Sequence, residues 1–185
     1  MNDMPNNPKI LVLGGCRSGK SSHALQLAES LGKTRIFVAT CVPHDEEMQR
    51  RVDRHRQERD DTWTTLEIPL DLAGAIRTHG PSAEVMLVDC LTLWLSNLLM
   101  ETADVGRIRK QIDELADAIQ TAPHAVILVS NEVGTGIVPE NRLARQYRDL
   151  AGWANQAVAA ACDRVVWTVA GIPVTIKPSL LSSAP

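Results

Sequence analysis

The sequence predicts an α/β fold with a mostly parallel sheet, helices on both faces and an antiparallel edge at its C-terminal end. Apolar runs of strand length alternate with longer segments of helical periodicity over 185 residues, enough for one such domain. A glycine-rich loop joins the first strand to the first helix, and a turn at 171–173 joins the last two strands. We therefore expect a single domain over residues 1–185, with loose tails at 1–8 and 179–185.

The strand at 10–13 leads into a loop with the spacing G-x-x-x-x-G-K-[ST]. The loop consists of Gly14, Gly15, Cys16, Arg17, Ser18, Gly19, Lys20 and Ser21. In this pattern backbone N–H groups wrap phosphates, the lysine ammonium reaches the β and γ oxygens, and the serine hydroxyl ligates Mg²⁺. The helix at 22–31 points its partly positive N-terminus at the same anion. The motif predicts a nucleotide-binding P-loop NTPase.

Composition excludes several other classes of protein. The net charge is −3, with four Trp, one Tyr and one Phe, so neither charge nor stacking surface favours nucleic acid. The four cysteines lie far apart, which is typical of reduced thiols in the cytoplasm. Residues 1–8 lack the basic start of a secretory signal, and the apolar stretch at 85–100 contains Asp89 and is too short for a membrane span.

After a second strand at 35–40, the pattern predicts an arginine-rich helix over 45–59. Its first turn contains three acids, at 45–47, which suit the helix dipole better than a metal site. His55 shares a face with Met48 and Val52, so it is either a structural histidine at the edge of the packed stripe or a group that meets a phosphate.

A short strand is predicted at 63–68, a helix at 70–78, and a buried strand at 84–89 that ends in Asp89. An acid at the end of such a strand can hold Mg²⁺ beside a phosphate loop, or it can cap the next helix. The upstream loop favours the metal role.

Two helices are predicted at 91–100 and 108–119, followed by a buried strand at 125–130. The loop at 131–142 is either a ligand loop at the carboxyl end of that strand or a structural turn. A long helix at 140–162 and strands at 164–169 and 174–177 complete the pattern. The apolar face predicted for the long helix contains Leu143, Tyr147, Leu150, Ala154 and Val158, and its polar face contains Arg142, Arg145 and Arg148.

At this point the sequence resembles the bifunctional adenosylcobinamide kinase/adenosylcobinamide-phosphate guanylyltransferase family of coenzyme B12 biosynthesis. The resemblance extends from about Ile10 to Lys177 and is carried by the loop at 14–21, by 38–40, by 45–48 with His55, and most specifically by 131–145.

The resemblance implies two reactions: a nucleoside triphosphate, ATP or GTP, phosphorylates adenosylcobinamide, and GTP then donates GMP to that phosphate through a guanylylated His55. It also implies a RecA-like fold and a homotrimer. Lys20 and His55 are the expected catalytic residues, and Ser21 and Asp89 the expected Mg²⁺ ligands. The implied nucleotide contacts are the loop residues 14–21, Ala39, Thr40, Cys41, Arg56, Gln57, Glu58, Arg59, Glu67 and Asp89.

Two positions depart from the family pattern. Arg54-His55 stands where some members have paired histidines, and Asp89 stands where some have Glu, which leaves open whether Asp89 meets the metal or the guanine. The rival hypotheses are a P-loop kinase with a structural His55 and a non-catalytic nucleotide-binding module. The phosphate donor, the corrinoid surface and the base for the acceptor hydroxyl are not predicted.

Overall fold

Seven strands form one sheet in the order β3-β2-β4-β5-β1-β6-β7. The computed structural model describes residues 5–42, 46, 50 and 59–178. The strands are β1 (Lys9–Gly14), β2 (Arg35–Ala39), β3 (Trp63–Glu67), β4 (Val85–Asp89), β5 (Ala125–Asn131), β6 (Arg164–Val169) and β7 (Ile172–Lys177). All neighbouring pairs are parallel except β6 and β7, so the predicted antiparallel edge is confirmed.

Helices cover both faces of this sheet. They are α1 (Lys20–Leu31), α2 (Leu72–His79), α3 (Leu91–Glu101), α4 (Val105–Thr121) and α5 (Arg142–Ala161). Ile10 and Val12 of β1 belong to the apolar cluster on the side of α1, whereas Leu11 and Leu13 belong to the cluster formed with the other four helices. Because successive side chains of a strand point to opposite faces, this alternation confirms the predicted arrangement of helices on both faces of the sheet, a three-layer sandwich.

Side-chain caps set three helix starts that differ from the predicted ones. Asp71 Oδ1 accepts from Gly74 N at 2.8 Å, Asp104 Oδ1 from Gly106 N at 2.9 Å, and Asn141 Oδ1 from Ala144 N at 3.1 Å. Such caps satisfy N–H groups that have no partner inside the helix. The three helices therefore begin at 72, 105 and 142, rather than at 70, 108 and 140. In addition, β7 begins at residue 172, whereas the sequence predicts 174.

The predicted apolar face of α5 is wrong at its start. Leu143 is 60% exposed, whereas Leu150, Ala154 and Val158 are buried. A helix of 20 residues is about 30 Å long, whereas the seven-residue strand β5 spans about 23 Å. The first turn of α5 therefore extends past the sheet, where Leu143 has no layer to pack against.

Most of the helix predicted over 45–59 lies outside the described residues. Glu46 and Arg50 are helical, and the Arg50 guanidinium lies 3.5 Å from the Glu46 carboxylate at the surface. Among the described residues, no helix combines the length and the apolar character that crossing a membrane requires.

Candidate active site

The sequence-predicted contacts from three strands lie in one row at the carboxyl edge of the sheet. Ala39 pairs with Glu67 on one side and with Asp89 on the other. The row continues through β5 to Val12 of β1, two residues before Gly14. Four strand spacings of about 4.8 Å separate β3 from β1, so the row is about 19 Å long. The phosphate loop lies at one end and Glu67 at the other.

The phosphate loop connects β1 to α1, and its backbone conformation requires glycine at two positions. A Cβ on Gly14 would lie 2.3 Å from Ser18 Oγ and 2.7 Å from the Thr168 carbonyl oxygen, so no larger residue fits. Gly19 has φ +90°, in the left-handed region, immediately before the helix. Gly15, by contrast, faces open space, where a ligand can approach the backbone closely.

Hydrogen bonds from distant parts of the chain hold the loop. Gly171 N, in the turn between β6 and β7, donates to Ser18 O at 3.0 Å, and Glu132 N, after β5, donates to Gly14 O at 3.2 Å. The Lys20 ammonium donates to Gly15 O at 3.1 Å. Lys20 therefore lies over the exposed start of the loop, where a positive charge would meet phosphate oxygens.

A cavity of about 360 Å³ adjoins this loop. Its walls are Gly15, Cys16, Arg17, Ser18, Glu132, Thr135, Trp167, Thr168, Val169 and Ala170. The hydroxyls of Ser18 and Thr168 are buried and have no hydrogen-bond partner among the described residues. Because a buried polar group without a partner costs about 1–3 kcal/mol, this arrangement is typical of a site that a ligand completes.

Asp89 and Lys20 both act on the Cys90 thiol, which lies between β4 and α3. Burial, and to a lesser extent the Asp89 carboxylate, raise the pKa of Cys90 to about 11, although hydrogen bonds with Thr92 and the Leu93 backbone and the Lys20 ammonium act to lower it. The carboxylate predicted to hold the metal and the ammonium predicted to hold the phosphates therefore act in opposite directions on the pKa of the same thiol. Cys90 itself is a protonated thiol at neutral pH and no nucleophile.

Thr40 joins the ends of β2 and β4. Its hydroxyl donates to Cys90 O and accepts from Cys90 N, both at 2.8 Å, and its carbonyl accepts from Asn97 Nδ2 at 2.8 Å. The Thr40 side chain is fully buried, so it positions Cys90 and its neighbour Asp89.

Arg59 is the described end of the arginine-rich segment. Its guanidinium lies 3.7 Å from the centroid of the Phe37 ring on β2, and its Nη2 donates to Thr65 Oγ1 of β3 at 3.4 Å. It therefore lies at the β2–β3 end of the sheet. His55, Arg56, Gln57 and Glu58 lie outside the described residues.

Glu132 lies in the loop at 131–142, which the sequence left open as a ligand loop, and Arg148 is a site residue that the sequence reasoning did not single out. Glu132 Oε1 accepts from Gly134 N at 2.7 Å, and the Arg148 guanidinium donates to Gly134 O. The sequence predicts only that Arg148 lies on the polar face of its helix. The available signal was spacing, because Ala151 and Asn155 follow it by three and seven residues on the same face, and both are buried.

Comparison with known proteins identifies relatives over almost the whole chain. The family model described as cobinamide kinase/cobinamide phosphate guanyltransferase matches residues 10–176. The bifunctional adenosylcobalamin biosynthesis protein CobP of Pseudomonas aeruginosa is 46% identical over 167 residues, which cover 90% of this chain and 96% of that protein. The CobU protein of Escherichia coli is 42% identical over 180 residues, covering 91% and 99%.

Solved structures with low identity show the same fold. A KaiC-like protein of Pyrococcus horikoshii has a TM-score of 0.52 at 16% identity, covering 89% of this chain and 73% of that chain. The type III secretion ATPase EscN of enteropathogenic Escherichia coli has a TM-score of 0.60 at 10% identity, covering 89% and 43%. With the parallel sheet and the loop after β1, these likenesses confirm the RecA-like P-loop fold.

Proposed function

Because this chain belongs to the cobinamide kinase/cobinamide phosphate guanyltransferase family, we propose that it is a bifunctional enzyme of adenosylcobalamin biosynthesis. A nucleoside triphosphate phosphorylates adenosylcobinamide, and GTP then donates GMP to that phosphate, giving adenosyl-GDP-cobinamide and pyrophosphate. The observation that carries the proposal is the family match over residues 10–176, which includes a phosphate loop with its glycine backbone intact.

The kinase reaction needs positioning and charge neutralisation rather than a covalent residue. The backbone of residues 14–21 cradles the phosphates of ATP or GTP, and Lys20 neutralises charge on the transferred phosphoryl group. The exposed Gly15 and the position of the Lys20 ammonium above it support this assignment.

Mg²⁺ fits the residues present. Mg²⁺ takes one or two protein oxygens and completes its shell with phosphates and water. Ser21 lies in the first turn of α1, directly after the phosphate loop, and Asp89 lies at the carboxyl end of β4, two strands from β1. No group of three His, Cys, Asp or Glu side chains in the described ranges could hold a metal alone, which agrees with a cation that arrives with the nucleotide. When bound there, Mg²⁺ would neutralise charge on the phosphates.

For GMP transfer, the neutral imidazole of His55 attacks the α-phosphorus of GTP and pyrophosphate leaves; the substrate phosphate then displaces the histidine. Arg56 and Arg59 stabilise the charge of the transition state. The remaining proposed nucleotide contacts are Ala39, Thr40, Cys41, Gln57, Glu58, Glu67 and Asp89. The common row of Ala39, Glu67 and Asp89 supports a single nucleotide-binding edge.

We further propose a cytoplasmic homotrimer that does not bind nucleic acid. Strand β7 exposes three large apolar side chains, Ile172, Val174 and Ile176, which supports contacts between subunits.

The test is the intact mass of the protein after incubation with Mg²⁺ and GTP. The native chain should gain the mass of one GMP, His55→Ala should not, and His79→Ala, which removes an exposed histidine at the end of α2, should behave as the native chain. His55→Ala should still phosphorylate adenosylcobinamide. Absence of the adduct in native protein that binds GTP would favour the simple kinase, and absence of any turnover would favour the non-catalytic module.

A further inference from the structure

We propose that the cavity beside the phosphate loop receives the hydroxyl-bearing arm of the kinase substrate, and that Glu132 is the general base that removes the hydroxyl proton. This inference rests on the proposed kinase activity. Strand β5 lies directly beside β1, with Asn131 paired to Gly14, so the residue after Asn131 emerges next to the start of the phosphate loop. Glu132 is a carboxylate in the wall of that cavity.

The Glu132 carboxylate is oriented by its own loop. Its backbone N–H is bound to Gly14 O, and one carboxylate oxygen, Oε1, accepts from Gly134 N at 2.7 Å. A Cβ on Gly134 would lie 2.8 Å from that oxygen, so a larger residue would shift the carboxylate from this position. The held oxygen fixes the carboxyl plane, and Oε2 remains as a proton acceptor.

Helix α5 holds the loop in turn. The Arg148 guanidinium donates to Gly134 O, so both polar groups of Gly134 are engaged, one by Glu132 and one by Arg148. At the base of the loop, Asn155 Nδ2 donates to Asn131 O at 3.2 Å. A base held by a packed helix loses little freedom when substrate binds, which is the condition for efficient proton transfer.

The opposite wall of the cavity suits a short alkyl arm. Trp167 and Val169, on β6, are 43% and 45% exposed and present apolar surface beside the polar loop. The kinase substrate, adenosylcobinamide, carries the acceptor hydroxyl on an aminopropanol arm. The methyl and methylene groups of that arm can pack against Trp167 and Val169, while its hydroxyl lies between the Glu132 carboxylate and the start of the phosphate loop. That hydroxyl is then next to the phosphoryl group that Lys20 neutralises.

The proposed phosphoryl transfer needs no reactant besides adenosylcobinamide and the nucleoside triphosphate. The substrate O–H gives its proton to Glu132, and its oxygen forms a bond to the γ-phosphorus while the bond to the β–γ bridging oxygen breaks. The nucleoside diphosphate leaves with that electron pair, and Glu132 returns the proton to solvent.

The first test is Glu132→Gln, with Glu29→Gln on the exposed side of α1 as the matched control. The glutamine oxygen still accepts from Gly134 N–H but cannot take a proton. The kcat for adenosylcobinamide phosphorylation should fall by roughly 10²- to 10⁴-fold, with the KM for triphosphate unchanged. GMP transfer to separately supplied adenosylcobinamide phosphate should be unaffected, and Glu132→Asp should recover part of the kinase rate.

A second variant tests the cavity. Trp167→Ala should raise the KM for adenosylcobinamide and leave the KM for triphosphate unchanged. An unchanged KM for adenosylcobinamide would overturn the assignment of the cavity. Full kinase activity of Glu132→Gln, or an equal loss in both half-reactions, would show that Glu132 is structural. A native protein that never phosphorylates adenosylcobinamide would instead refute the proposed function itself.

Discussion

The buried polar groups around Lys9, at the amino edge of the sheet, and those beside the phosphate loop, at its carboxyl edge, differ in whether the chain itself supplies their hydrogen-bond partners. At the amino edge the Lys9 ammonium donates to Asn7 O and His124 O, both at 2.7 Å, and its backbone N–H donates to Asp163 Oδ2 at 2.8 Å. At the carboxyl edge the hydroxyls of Ser18 and Thr168 are buried without a partner among the described residues. The polar groups around Lys9 are satisfied by the chain itself, whereas the two hydroxyls beside the phosphate loop are left for a ligand to satisfy.

This difference predicts which substitutions change the stability of the protein and which change its activity. Polar groups satisfied within the chain stabilise the fold, and removing one leaves its partner buried and unpaired. Polar groups that lack a partner destabilise the free protein and are compensated only in the complex. Substituting a satisfied group such as Lys9 should therefore lower stability, whereas substituting an unpartnered group beside the phosphate loop should lower turnover or binding.

The largest expected effect is on turnover at the carboxyl edge. Lys20→Ala removes the positive charge over the phosphate loop, and the kinase rate should fall by roughly 10²- to 10³-fold. Its one described hydrogen bond is to an exposed carbonyl, so the free energy of unfolding should hardly change. Steady-state kinetics and urea denaturation measure the two quantities, with the exposed Lys33→Ala as control. A matching loss of stability would contradict the comparison.

At the amino edge the expected effect falls on stability. Lys9 is 7% exposed, and Lys9→Met would leave two carbonyl acceptors without their donor. The free energy of unfolding should fall by about 1–3 kcal/mol, with turnover per folded molecule unchanged. Urea denaturation of this variant beside Lys33→Met provides the measurement. Lower turnover at unchanged stability would be the opposite of what the two edges predict.

Two buried threonines at the carboxyl edge test the same comparison, because one hydroxyl has hydrogen-bond partners and the other has none among the described residues. Thr168→Val removes a hydroxyl that has no described partner, so the free protein should be as stable as the native chain or more so. Thr40→Val removes a hydroxyl with two hydrogen bonds of 2.8 Å and should lower stability by about 2 kcal/mol. In Thr168→Val the kinase kcat/KM should fall by about tenfold if the hydroxyl meets substrate. Equal stability losses in both variants would remove the distinction.

His124 differs from Lys9 in that the chain does not satisfy its buried polar atoms. We expect its substitution to have the smallest effect, a change in how stability depends on pH. Its ring is 3% exposed, contacts Gly80, and has no hydrogen-bond partner for either nitrogen in the described ranges. Burial lowers the pKa of His124, and the Lys9 ammonium lowers it further. The unfolded chain, with a pKa of about 6.5, binds the proton more readily, so stability is full above that pH and declines as the pH falls towards the folded pKa.

His124→Gln should therefore lose less stability than the native chain between about pH 7.5 and about pH 5.5. Burial and Arg164 also lower the pKa of His23, which contributes equally to both proteins. Urea denaturation at the two pH values gives the difference. An equal loss in both proteins would mean that His124 is not the group that titrates.

The sequence by itself determined the phosphate loop, because the spacing that defines the loop lies within the eight consecutive residues 14–21. It also predicted the parallel sheet and its antiparallel edge, because strand periodicity is local. The acid at the end of β4 was recognisable for the same reason. The bounds of helices were less predictable, since caps such as Asp71 and Asn141 depend on how the chain approaches the helix.

Only the tertiary structure decided which residues lie beside the loop. The strand order puts β5 between β1 and β4, so Glu132 is next to Gly14, while Asp89 is two strands away. Thr168 and Gly171 reach the loop from about 150 residues further along the chain. No periodicity encodes such approaches, because they arise from the packing of whole strands and helices. The cavity and its candidate base therefore became visible only once the sheet was assembled.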